Sequence, residues 1–302
     1  MTKSLLYGDV PPDLAETPPG SVQVSPLVPG AENLETLAPE SCDGLDMRAP
    51  SNTIERRHDI ALAMRALRPG APFTILAAND KGGSRLKREL EAFGVETDDS
   101  PKRHHRICTG KRPAALTGID EAVEEGALRF REELGIATQP GIFSWDRVDV
   151  GSTVLLEVMP KLSGRVGDFG CGYGLLSASV LRSETVTAVT GYDVDRRAVA
   201  AARMNIADPR FSAVWVDIAG KGVGVTGLDA IVMNPPFHRA GVEDQSLGVT
   251  MIQRAAEALR TGGTLWLTAN RHLPYEEVLR ASFRKLRLVA DEQGFKILEA
   301  VK

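Results

Sequence analysis

From about Gly151 onward the chain alternates short apolar runs with helical stretches, and this alternation constrains the fold more than any other feature. Val166–Phe169, Val186–Tyr192, Val214–Asp217, Ala230–Asn234 and Thr264–Ala269 read as strands. Leu175–Leu181, Asp195–Ile206 and Thr250–Arg260 carry helical spacing between them, the last with a stop expected at Gly262-Gly263. Such alternation predicts a mostly parallel sheet with helices on both faces. Leu286–Ala290 and Phe295–Val301 flank Gln293-Gly294 and predict a closing hairpin.

The chain also repeats itself. Gly44-Leu45-Asp46, a helix ending Arg68-Pro69-Gly70, and Ile75–Asn79 reappear as Gly227-Leu228-Asp229, a helix ending Arg260-Thr261-Gly262, and Trp266–Asn270. Arg106-Ile107-Cys108 then matches Lys296-Ile297-Leu298. The offset drifts slowly, from 192 at Gly70 to 190 at Arg106. Three matches in order predict two related α/β halves, which agrees with a length of 302 residues. The front is different in character. Residues 1–50 hold 8 of the 18 prolines and eight acidic against two basic residues. They predict irregular chain with a strand near Val22–Val24 and a helical turn near Glu32–Leu37.

Hydrophobic residues at 43% and charged residues at 25% allow a core of normal size. No run of 18 apolar residues is present, and Met1–Pro12 lacks the apolar stretch of a secretory signal, so a cytoplasmic protein away from membranes is expected. Cys42, Cys108 and Cys171 have no CxxC spacing and the five histidines no HxxxH pair, so neither disulfides nor a metal are expected. A net charge of −4 argues against a generally basic nucleic-acid coat but leaves room for a local basic face. Pro101–Arg112 has five Lys/Arg and two His. It reads as an edge strand with solvated charges or as a phosphate contact.

Asp168-Phe-Gly170-Cys-Gly172-Tyr-Gly174 follows a strand and opens a helix. Glycines there let backbone approach a ligand and free the N–H groups of the helix start. Leu175 stands where a GxGxxG dinucleotide loop needs glycine, and an acid precedes the first glycine instead. A tight strand–helix turn would use the same residues. Asp193 ends the next strand, 25 residues after Asp168, where a carboxylate accepts both hydroxyls of a ribose or caps a helix. Asp217, ending the third strand, meets an adenine amine or caps a turn.

Asn234-Pro235-Pro236-Phe237-His238 ends the fourth strand. Two prolines stop the strand and stiffen the loop. The Asn234 amide oxygen and the Pro235 carbonyl are two acceptors suited to one planar NH2 group, and Phe237 can stack on the ring that carries it. Taken in order, the D-x-G-x-G-x-G loop, Asp193 and this motif resemble the small methyltransferase domain of class I S-adenosylmethionine (SAM)-dependent enzymes. Pro140–Ser144, Asp149-Val150-Gly151-Ser152 and Ala269-Asn270 with Leu273-Pro274-Tyr275 extend the likeness to bacterial rRNA (guanine-N2) methyltransferases, nearest the small-subunit (16S) type.

That resemblance implies two Rossmann-like halves. The first, 1–139, is degenerate and supports RNA recognition or folding; the front departs from the family pattern, with several early strands expected to be missing. The second, 140–302, is catalytic, with a seven-stranded sheet and a terminal antiparallel hairpin. It implies transfer of a methyl group from SAM, without a metal, to a guanine N2 amine in rRNA or a partly assembled subunit, by a monomer. Catalytic residues would be Asn234, Pro235 and Phe237. Asp168, Gly170, Gly172, Gly174, Asp193, Asp217 and Asn234 would hold SAM. Pro236, Phe237, His238, Phe143 and Ser144 would meet the substrate. Methylation of a protein glutamine or of adenine N6, and a non-catalytic RNA-binding assembly factor, are the alternatives. The first two usually carry Tyr in place of Phe237.

Overall fold

The computed structural model describes residues 3–236 and 246–302 in full, and residues 238–239, 242–243 and 245 by their backbone. The chain divides into two compact units, Met1–Ala127 and Leu128–Lys302.

The first unit contains β1 (Ser4–Tyr7), β2 (Val22–Gln23), β3 (Gly44–Arg48), α1 (Thr53–Ala66), β4 (Pro72–Ala78), α2 (Gly83–Ala92), β5 (Asp98–Lys102), β6 (His105–Lys111) and α3 (Ile119–Glu125). Its six-stranded sheet has the order β2-β1-β3-β4-β6-β5. One face buries Leu45, Met47, Phe73 and Ile75 against Ile60, Leu86 and Leu90 of α1 and α2. Leu76 and Ile107 of the other face meet Val10 and Leu14, which come from irregular chain rather than from a helix. Among the elements that were not expected is β1, which lies between β2 and β3, parallel to both. Its Leu-Leu-Tyr run is too short to announce a strand by itself. The basic run 101–112 falls on the β5–β6 hairpin, with β5 at the sheet edge. Much of its charge is already partnered, Arg106 by Asp99 and Arg112 by Glu40.

The second unit contains β7 (Arg129–Arg131), β8 (Ile136–Thr138), α4 (Val150–Val158), β9 (Gly164–Phe169), α5 (Leu175–Val180), β10 (Val186–Asp193), α6 (Arg196–Asn205), β11 (Phe211–Trp215), α7 (Ile218–Lys221), β12 (Leu228–Met233), β13 (His238–Arg239), β14 (Val242–Glu243), α8 (Gln245–Ala258), β15 (Leu259–Asn270), α9 (Glu276–Ser282), β16 (Lys285–Glu292) and β17 (Phe295–Val301). Its seven-stranded sheet runs β11-β10-β9-β12-β15-β17-β16, parallel except at β17, which is antiparallel to both neighbours. Alternate residues serve opposite faces. Val232 and Trp266 meet α4 and α5, whereas Ile231, Met233, Leu265 and Leu267 meet α8 and α9.

Three boundaries differ from expectation. The third strand lies at Phe211–Trp215, so Asp217 stands beyond it and caps α7. Helix α8 ends at Ala258, and β15 already runs through Gly262 and Gly263, so that pair is not the helix stop. The unit boundary precedes residue 139 because Leu128 and Ile136 join a core cluster with Ile142, Tyr173 and Ala198.

Candidate active site

The chain leaves β9 for β10 and β11 on one side and returns to β12 on the other, so β9 and β12 are neighbours. Their carboxyl ends form the crevice where doubly wound sheets bind ligands. This topology brings Asp168–Gly174 and Asn234, far apart in sequence, to one cleft. Phe143, Ser144, Asp149, Ser152, Gly170, Gly172 and Asn234 line it. A Cβ placed on Gly170 would lie 3.8 Å from the Asn234 carbonyl oxygen.

The glycine loop is built from backbone hydrogen bonds. Gly170 N and Cys171 N both donate to Tyr192 O, at 2.8 and 3.1 Å, which joins the loop to the end of β10. Gly170, Gly172 and Gly174 have φ of 81°, 54° and 95°, a region costly for other residues. The three are not equivalent. A Cβ on Gly172 would meet nothing within 4 Å, whereas one on Gly174 would come within 2.9 Å of Ile206 Cδ1. Gly174, expected to hold SAM, is placed against α6 and outside the cleft lining.

Asp168 is fully buried. Its Oδ2 accepts from Ser177 N at 3.0 Å and Ser177 Oγ at 2.7 Å, which ties β9 to α5. Its Oδ1 has no partner among the described residues. Burial pushes its pKa up to about 7, against the two Ser177 hydrogen bonds. Asp193 is half-buried; Oδ2 accepts from Gly172 N at 2.8 Å and Oδ1 from Asp195 N at 2.9 Å. Burial raises its pKa to about 6. Asp217 accepts from Gly220 N at 3.0 Å, the cap reading of that residue. Burial raises the Cys171 thiol well above its usual range, which suits a small apolar filler rather than a nucleophile.

Asn234 follows β12 and is half-buried, Pro235 is buried and Pro236 exposed. Asn234 Nδ2 donates to Asp149 Oδ2 at 2.8 Å and Ser152 Oγ at 3.0 Å. Phe143 is 56% exposed at the rim of the cleft, and Ser144 has a positive φ of 52°. Phe237 lies outside the described residues. His238 is placed by its backbone in β13.

Two contributors were given no role by the sequence. Ser152, part of the Asp149–Ser152 motif, reaches Asn234 across 82 positions. Asn205 uses its whole amide. Oδ1 accepts from Ala137 N at 2.6 Å, and Nδ2 donates to Ala137 O and Tyr173 O, both at 2.9 Å. It thereby ties the β7–β8 hairpin and the glycine loop to α6. Asn at the end of an amphipathic helix is common, and nothing in the sequence separates this one.

The family profile of the methyltransferase small domain matches residues 133–299. The chain belongs to the methyltransferase small domain family. Among its curated relatives are proteins named ribosomal RNA small subunit methyltransferase C. The one from Pseudomonas paraeruginosa is 30% identical, covering 92% of this chain and 85% of the relative. The one from Shewanella baltica is 33% identical, over 78% and 69%. A solved 16S rRNA N2 methyltransferase of T. thermophilus, in complex with AdoMet and guanosine, superposes with a TM-score of 0.74 at 24% identity, over 89% of this chain and 75% of that one. This likeness covers both units and agrees with two Rossmann-like halves. Among the described residues no helix is long and apolar enough to cross a membrane, and no cluster of three or more His, Cys, Asp or Glu could hold a metal.

The cleft fits SAM on its own residues. Asp168 Oδ1 is a buried acceptor in need of a donor. Gly172 presents open space where a side chain would obstruct a ligand. Asp193, beside Gly172 N, brings a carboxylate to the glycine loop, which suits a cation.

Proposed function

We propose that this protein transfers the methyl group of SAM to the exocyclic N2 amine of a guanine in small-subunit rRNA. The observation that carries this reading is the Asn234 amide. Both hydrogens of its NH2 group are taken by Asp149 and Ser152, and no described group donates to Oδ1. An acceptor thus stands open beside the glycine loop. The names of the relatives supply the substrate class.

SAM, when bound, supplies a methyl group on a cationic sulfur. In this reading Asp193 accepts the ribose hydroxyls, Asp168 serves as the buried acceptor below the loop, and Gly170 and Gly172 give the backbone its close approach. Asn234 Oδ1 and the Pro235 carbonyl accept the two amine hydrogens. They localise the nitrogen lone pair and offset the positive charge that develops on nitrogen. Phe237 holds the guanine by stacking, with Pro236, His238, Phe143 and Ser144 on the substrate side. The target amine must leave any base pair to reach this cleft. Catalysis rests on positioning and electrostatics, with no strong base. Residues 128–302 carry SAM and the chemistry, and the amino-terminal unit supports RNA recognition.

Asn234→Ala removes one preorganised acceptor. Single-turnover methylation of unmodified small-subunit rRNA should fall by roughly 10²–10³. SAM affinity, read by calorimetry, should stay near wild type. Mass spectrometry of the product nucleoside should show N2-methylguanine. Full turnover in Asn234→Ala, or a methylated adenine or glutamine as the main product, would overturn this reading.

A further inference from the structure

We propose that Asp149 and Ser152 are positioning residues that lock the orientation of the Asn234 amide. The proposal rests on the reading above, in which Asn234 accepts the substrate amine. A carboxamide has two nearly isosteric orientations that exchange its oxygen and its nitrogen. Only one of them presents an acceptor to an amine; the other presents a donor and repels it. Something must therefore choose between them.

The choice is made by α4. Asn234 Nδ2 donates to Asp149 Oδ2 at 2.8 Å and to Ser152 Oγ at 3.0 Å, so both amide hydrogens are committed. An ionised carboxylate accepts and cannot donate. Turning the amide over would set Asn234 Oδ1 against Asp149 Oδ2, two acceptors at contact distance. The anion also draws the amide hydrogens and leaves Oδ1 more electron-rich, which strengthens it as an acceptor.

Asp149 is itself held. It caps α4, with Oδ2 accepting from Ser152 N at 2.7 Å. Its carbonyl accepts from Thr153 N at 3.0 Å and Thr153 Oγ1 at 2.9 Å. One turn later Val154 and Leu155 are fully buried in the core under the sheet. The lock is thus anchored to a packed helix rather than to mobile chain. Asp149 lies 85 positions before Asn234, so the pairing exists only in the folded chain.

The test separates the lock from the cap. Asn caps helices about as well as Asp, so Asp149→Asn should leave the melting temperature near wild type. The new amide can donate, however, and no longer excludes the turned-over Asn234. Single-turnover methylation of unmodified small-subunit rRNA at saturating SAM should fall about tenfold, the difference between a charge-assisted and a neutral hydrogen bond. SAM affinity by calorimetry should be unchanged. Asp149→Ser also caps but is too short to reach Asn234, and should lose at least as much turnover. Ser152→Ala keeps the helical N–H and loses one acceptor, for a loss of roughly threefold. Adding Asp149→Asn to Asn234→Ala should cost nothing further.

Wild-type turnover in Asp149→Asn and Asp149→Ser would reduce Asp149 to a helix cap. Weakened SAM binding with normal turnover at saturation would make it a SAM contact. An additive loss in the double variant would also overturn the lock. If Asn234→Ala itself turns over normally, the functional reading fails. If only Asn234→Ala is impaired, the lock fails and that reading stands.

Discussion

In the proposed reading Asp193 has two tasks that pull its proton in opposite directions. Burial lifts its pKa to about 6, against the backbone N–H groups of Asp195 and Gly172. The folded value lies above the ordinary 3.8. The neutral form therefore contributes stability that is complete below about pH 4 and is lost as pH rises through about 6. Ribose hydroxyls need the charged form as acceptor. SAM binding should accordingly weaken as pH falls from 7 to 5, while this group's own contribution to apo stability grows. In melts with and without SAM, the SAM-induced rise in Tm should shrink below pH 6, and Asp193→Asn should flatten that dependence. A rise that stays constant down to pH 5 would remove Asp193 from the ribose. Asp193→Ala should weaken SAM by about 1–3 kcal/mol, the worth of a hydrogen bond to a charged group.

At the scale of the element, the proposed reading divides the glycines of the β9–α5 loop between folding and binding. Alanine at either Gly172 or Gly174 meets an unfavourable positive φ, worth roughly 1–2 kcal/mol. At Gly174 the added methyl also meets Ile206 Cδ1 at 2.9 Å and Ala202 Cβ at 3.3 Å. Crowding in a packed core adds about 1–3 kcal/mol. At Gly172 it meets no protein atom, only the space of the cleft. Gly174→Ala should therefore lower Tm more than Gly172→Ala. Gly172→Ala should show the larger loss of SAM affinity relative to its loss of Tm. Thermal melts and calorimetry on the two variants check this, and the reverse ranking would show that Gly174 belongs to the ligand.

Across the whole molecule, the two units carry the same plan with different fillings. In the second, Gly172 N bonds the Asp193 carboxylate; in the first, Gly8 N bonds the Gln23 amide at 3.0 Å, and Val24 N and Ser25 N crowd the same oxygen. Pro50 follows β3 as Pro235 follows β12. The carbonyls of Pro50 and Ser51 are taken by the buried Arg56 at 3.0 and 2.9 Å, and Arg56 also grips Glu89 with two bonds. The polar groups at the corresponding strand ends are already taken by the chain's own side chains, so calorimetry should count one SAM per chain. Two would refute the assignment. A 128–302 fragment should bind SAM. Trimming it to 140–302 removes Ala137, leaves the Asn205 amide only its bond to Tyr173 O and uncovers Ile142 and Tyr173. Its Tm should fall by about 5 °C or more, for a loss of roughly 2 kcal/mol. Equal stability of the two fragments would show the hairpin to be dispensable.

Local patterns were enough for the α/β architecture, the two-half plan, the glycine loop after Val166–Phe169 and the closing hairpin at Gln293-Gly294. Periodicity, glycine and proline act over a few residues, so they can be read from neighbours. The same holds for Asp168, Asp193 and Asn234, whose place at strand ends follows from the alternation itself. Other features depend on distant chain. β1 is a strand because β2 and β3 flank it, Asp217 caps α7 because β11 ends two residues earlier, and Gly174 has no room for a side chain because Ile206 lies against it. The orientation of Asn234 was decided last of all. A carboxamide has no preference of its own between its two faces, and only the fold sets the carboxylate of Asp149 beside it to choose.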